Sequence, residues 1–159
     1  MPFTISGLPV EDFRPLFDLD TEALAARGIL RRVATAKPGF PCRIGLRDAE
    51  PGETILLLNY EHQPADTPYR SAYAIYVSQS ASETWSGRDT LPSAMRGRPI
   101  ALRAFSADGL LLSAEVAMGD GLETAITRQL ATAGAAYVHA HNAGHGCFVA
   151  RIDPAPSAA

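Results

Sequence analysis

The chain has 159 residues, 47% of them hydrophobic and 19% charged, with a formal net charge of −3. That length suits one domain with its own core, and the acidic balance argues against nucleic acid, whose phosphates call for a basic excess or stripe. The longest apolar runs, such as residues 55–58, fall far short of the roughly 20 residues that cross a bilayer, and residues 1–6 lack the pattern of a secretory signal. The expectation is a cytoplasmic protein with neither membrane nor nucleic-acid partners. Two cysteines, Cys42 and Cys147, are too few for a disulfide framework and should be free thiols.

In chain order, residues 9–17 read as a helical turn with Phe13, Leu16 and Phe17 facing inward. Asp20 or Thr21 caps a short helix over 22–27, which Gly28 ends. A strand over 29–34 is followed by a proline-broken loop at 37–41 and a turn at 47–53. The strongest strand covers 54–60, and the polar, proline-containing stretch 61–71 reads as a surface loop. Residues 72–78 alternate as a strand, with Tyr73, Ile75 and Val77 on one face. Residues 79–98 are polar and hold the only tryptophan, Trp85. A hairpin follows over 100–105 and 110–118, turning at Asp108-Gly109. Leu122, Ile126 and Leu130 mark the main helix over 122–133, ended by Gly134. Residues 135–141 and 147–152 form a last hairpin, and the tail 154–159 should be disordered. The pattern is α+β: a single domain over 1–153, with about eight short, mostly antiparallel strands and one main helix.

Three of the four histidines and one cysteine lie within nine residues, His139-Ala-His141-Asn142-Ala-Gly-His145-Gly-Cys147. Matching the apolar faces of the last hairpin pairs Ala140 with Phe148 and Val138 with Ala150. That register sets Cys147 opposite His141 and Val149 opposite His139. Three chemistries fit such a face. His139, His141 and Cys147 could form part of a zinc site, although their spacing matches no named zinc motif. His141 and Cys147 could act as base and nucleophile. Otherwise the side chains only complete a sheet face. Elsewhere, Cys42 stands beside the Arg43 guanidinium, a setting that can activate a thiol, and Asn59 and Tyr60 emerge at the end of the strongest strand. No phosphate loop, dinucleotide fingerprint or nucleophile elbow is present, so no cofactor is expected.

The blocks Gly39-Phe-Pro-Cys-Arg43, Leu56-Leu-Leu-Asn-Tyr-Glu-His62, Pro68-Tyr-Arg70 and Tyr137-Val-His-Ala-His-Asn142 with Gly146-Cys147 occur in the order found in a bacterial family called domain of unknown function 1203. The chain resembles that family over nearly its whole length. The resemblance implies a compact, single-domain bacterial protein and assigns no reaction. Its blocks are the same stretches singled out above, which favours a shared pocket over scattered packing roles. The resulting expectation is a small-ligand pocket in which Arg43 holds an anionic molecule and Asn59 and Asn142 orient it. Cys42, Tyr60 and His139 complete the lining, and His141 and Cys147 are the reactive pair. The alternatives are a non-enzymatic structural or interaction protein and a zinc-binding protein.

Overall fold

The computed structural model describes residues 1–157 and has two antiparallel sheets. Its strands are β1 (Phe3–Ser6), β2 (Leu30–Val33), β3 (Thr54–Gln63), β4 (Ser71–Ser78), β5 (Ser86–Arg88), β6 (Ile100–Phe105), β7 (Leu111–Ala117), β8 (Tyr137–Asn142) and β9 (Phe148–Pro154). The larger sheet runs β5-β1-β9-β8-β6-β7, and the smaller runs β2-β3-β4. The helices are α1 (Arg14–Phe17), α2 (Thr21–Ala25) and α3 (Leu122–Leu130). The class is α+β, as the sequence pattern indicates.

Helix α3 covers one face of the larger sheet. Leu122, Ile126 and Leu130, each four residues from the last, bury themselves with Ala125 against Ile100, Leu102, Val138 and Ala140. Each large side chain so buried contributes roughly 1.5–3 kcal/mol. The smaller sheet builds a second core, in which Leu56, Leu58, Ile75 and Val77 meet Phe148 of β9. Phe148 thus reaches from one sheet into the core of the other. Every residue of β8 is buried as a consequence, since α3 lies over one face and the smaller sheet over the other.

Several boundaries differ from the sequence expectation. Strand β3 runs on to Gln63, whose Nε2 donates to the Tyr137 hydroxyl at 2.9 Å, so the expected surface loop begins after it. Strand β1 was hidden because only Phe3 and Ile5 alternate inward, yet it inserts between β5 and β9. Strand β5 has no apolar alternation at all and forms through its pairing with β1. At the other end, β9 continues through Pro154, and the Ala155 N–H bonds to the Pro2 carbonyl, so pairing extends into the segment expected to be disordered. The remainder of that expectation falls partly on residues 158–159, outside the described residues.

Helix α2 is capped by Asp20, whose Oδ1 accepts the Ala23 N–H at 2.8 Å. Substituting Asp20→Ala is expected to cost about 1 kcal/mol in thermal or urea unfolding. An unchanged melt would show that the cap contributes nothing.

Candidate functional site

The hairpin of β8 and β9 carries most of the chemistry, and its register differs from the expected one. Val138 pairs with Ile152, His139 with Arg151, Ala140 with Ala150, and His141 with Phe148. Between the last two pairs Val149 is an extra residue, a bulge. The bulge lets Val149 join the core beneath α3 while Phe148 turns to the histidine face. Unbroken alternation of Phe148, Ala150 and Ile152 cannot reveal it. Cys147 therefore lies beside Asn142 rather than opposite His141: the Asn142 N–H bonds to the Cys147 carbonyl, and the Asn142 Nδ2 lies 3.4 Å from the sulfur. Gly146 closes the turn with a φ of +80°, a conformation that suits glycine.

Arg43 meets this hairpin from a distant part of the sequence. Its backbone is strung between the sheets, donating its N–H to the Tyr76 carbonyl and accepting the Leu8 N–H. Gly7 permits this approach, since a Cβ there would collide with the Ile44 carbonyl. The side chain is 1% exposed. Its Nε donates to the Phe148 carbonyl at 2.7 Å, Nη1 to the Pro41 carbonyl, and Nη2 to the Cys147 sulfur at 3.0 Å. Burial pulls the guanidinium below its ordinary pKa, which the Cys147 and Cys42 sulfurs oppose. Arginine nonetheless stays charged at neutral pH.

Arg43, Asn142 and Cys147 line one cavity of about 490 Å³ against Leu57, Ala74 and Tyr76 of the smaller sheet. Arg98 also lines it but is already matched, its Nη1 and Nη2 bonding to Asp48 Oδ2 and Oδ1 at 2.9 and 2.6 Å. Burial raises the Asp48 pKa, yet the Arg98 bonds and the Gly39 N–H hold it below its ordinary value. Among the described residues no aspartate or glutamate lines the cavity and no carboxylate pairs with Arg43. His145 stands exposed among the residues at its edge.

The other expected site residues lie elsewhere. Cys42 is buried in the second core, its sulfur accepting the Ser78 N–H at 3.2 Å, and it is absent from the cavity wall. Asn59 is exposed opposite Ala74 and also lies outside the lining. Tyr60 packs between Phe13 and Phe148. His139 and His141 join a separate cluster with His62, whose ring centroid lies 6.2 Å from the first and 4.9 Å from the second. Sequence reasoning missed His62 because it ended β3 at Tyr60; two more residues of alternation set His62 on the inward face with Leu58 and Tyr60. Arg98 was missed inside the polar stretch 79–98, which offers no periodic signal.

In the histidine cluster, His141 Nδ1 lies 2.9 Å from the Gly146 carbonyl. A carbonyl only accepts, so Nδ1 carries the proton and Nε2 is left bare. His141 Nε2, His139 Nδ1 and His62 Nδ1 are all buried without a hydrogen-bond partner. Burial, reinforced by neighbouring histidines and arginines, pushes His139 and His141 down to about 3, and burial with Arg103 lowers His62. The three rings are neutral at pH 7. Neither ring nitrogen of His141 bonds to Cys147, so the structure does not assemble that pair as base and nucleophile. Nor does it assemble His139, His141 and Cys147 as a ligand set. Among the described residues no group of three histidine, cysteine or acidic side chains is arranged to hold a metal ion.

A family model described as a protein of unknown function (DUF1203) matches residues 39–153. No curated protein and no solved structure matches the chain. Among the described residues no helix is long and apolar enough to cross a membrane.

Proposed function

Given that the chain belongs to the DUF1203 family of proteins of unknown function, we propose that it is a small-ligand protein whose cavity takes an anionic molecule onto Arg43. One observation carries this reading: a buried guanidinium lines a cavity to which no carboxylate among the described residues contributes. An unmatched buried cation is costly, and an anion entering from solvent relieves that cost through short, charge-assisted hydrogen bonds. Three of the five guanidinium N–H groups are committed to the protein, which leaves two for a ligand. The volume falls in the range of small-molecule sites, roughly 300–1,000 Å³. Leu57, Ala74 and Tyr76 supply an apolar wall for the rest of the ligand. The net charge of −3 supports a partner list without nucleic acid. The two free cysteines support a reducing, cytoplasmic setting.

A structural reading draws on the same side chain, because Arg43 also ties residues 41–43 to β9. Binding separates the two. Calorimetric titration with inorganic phosphate and with small mono- and dicarboxylates is expected to find at least one that binds. Ala74→Trp should weaken that binding at least about tenfold, or about 1.4 kcal/mol. Ala74 is an exposed residue at the cavity wall, so the melt without ligand should stay unchanged. If no anion binds, or if Ala74→Trp binds as well as wild type, the structural reading prevails.

A further inference from the structure

We propose that the cavity takes one class of anion, a monocarboxylate with an apolar body, its carboxylate on Arg43 and its body against the outer edge of β4. This rests on the reading of the cavity as an anion site. The wall offers one uncommitted positive charge. Among the described residues its arginines and lysines are Arg43 and Arg98. Arg98 is neutralised by Asp48 through bonds of 2.9 and 2.6 Å, and the same carboxylate accepts the Gly39 N–H at 3.0 Å. Arg98 and Gly39 both line the cavity, so Asp48 sits behind that part of the wall. A second negative charge on the ligand finds no free arginine there and would be desolvated without a partner. Arg43 keeps two N–H groups free, the number that the two oxygens of one carboxylate accept.

The rest of the wall shapes the other end of the ligand. Leu57 and Tyr76 are paired neighbours on β3 and β4. Tyr73 and Ala74 continue the wall along β4, and Pro99 and Ala143 also line it. Strand β4 is an edge of the smaller sheet. Segment 41–43 bonds to that edge at Tyr76, where the Arg43 N–H meets the Tyr76 carbonyl, and Tyr73 and Ala74 stay exposed. Tyr73 is 51% exposed, a large aromatic ring left half in water at the cavity wall. Hydrocarbon laid along Leu57, Tyr73 and Tyr76 leaves water together with the surface it covers, which adds affinity that a purely polar anion cannot gain. An aromatic ring gains further from the two tyrosines. The cavity, at about 490 Å³, has room for both ends of such a molecule. Inorganic phosphate and succinate still reach Arg43, but they leave the apolar wall wet, and the second carboxylate of succinate finds no second cation.

The test is calorimetric titration of the full chain with 3-phenylpropanoate, acetate, succinate, inorganic phosphate and the neutral 3-phenylpropanamide. 3-Phenylpropanoate is expected to bind at least about tenfold more tightly than each of the other four. Tyr73→Ala, with folding checked by circular dichroism, should weaken 3-phenylpropanoate at least about fivefold, and by more than it weakens succinate. Should Tyr73→Ala fail to fold, the ligand series decides. Acetate, succinate or phosphate binding as tightly as 3-phenylpropanoate sinks the inference and leaves the anion site standing. Folded Tyr73→Ala that binds 3-phenylpropanoate like wild type does the same. 3-Phenylpropanamide binding as tightly as 3-phenylpropanoate sinks the anion site and the inference together, as does the absence of binding by all five.

Discussion

Arg43→Ala is expected to lower the unfolding free energy by about 3–5 kcal/mol. The change removes a buried side chain and leaves the Phe148 and Pro41 carbonyls without their donor in a dry setting. It also empties space between the two sheets, where Arg43 joins segment 41–43 to β9. These hydrogen bonds make Arg43 part of the fold as well as of the cavity. Ligand affinity and stability then draw on one residue, which is why Ala74→Trp rather than Arg43→Ala is the variant that tests binding. Urea unfolding of wild type and Arg43→Ala measures the difference. A loss below about 1 kcal/mol would mean that water or a neighbouring side chain replaces the guanidinium.

Mild acid should destabilise the fold steeply. His139 and His141 titrate near 3 in the folded protein and near 6.5 once unfolded. Between those values the unfolded chain binds more protons, so stability is full above about pH 6.5 and falls as the pH drops towards 3. At pH 5 the two groups together remove about 4 kcal/mol, a large part of a typical domain's 5–15. His62, also lowered, adds to the effect in the same direction. Unfolding curves at pH 7 and pH 5 check this. His139→Phe, set among Phe105, Tyr137 and Phe148, should flatten the dependence by about half. Equal stability at the two pH values would mean that the cluster opens to water.

The parts of the fold that were legible in the sequence are those with local periodicity. Leu122, Ile126 and Leu130 announce α3, and Asp108-Gly109 between alternating runs announces the β6–β7 hairpin. The β8–β9 hairpin was also legible, but its register was not: Ala140 pairs with Ala150 rather than Phe148, a two-residue slip that keeps the same apolar faces together, and the bulge at Val149 leaves no mark on a pattern of apolar residues. The sequence leaves the histidine face open between a pocket, a zinc site and the completion of a sheet face. It is interior, because the smaller sheet covers it, and no property of residues 137–142 alone predicts a cover supplied by β3. The cavity depends on the same kind of long-range fact. Arg43 and Phe148 are 105 positions apart, and they meet only because Arg43 bonds along its backbone to Tyr76 and Leu8. Residue types could nominate Arg43, Asn142 and Cys147, but tertiary packing brings them together and parts them from Cys42, Asn59 and Tyr60.

The side-chain N–H resonances of Arg43 report most directly on the anion site. The group is buried and hydrogen-bonded at Nε, so its signal should exchange slowly and be visible by ¹⁵N–¹H correlation at neutral pH. Titration with inorganic phosphate, and separately with succinate, is predicted to shift the Arg43 Nε–H signal together with the Asn142 side-chain amide, to saturate, and to leave the backbone amides of α3 in place. Resonances of Arg43 and Asn142 that stay fixed through both titrations would contradict it.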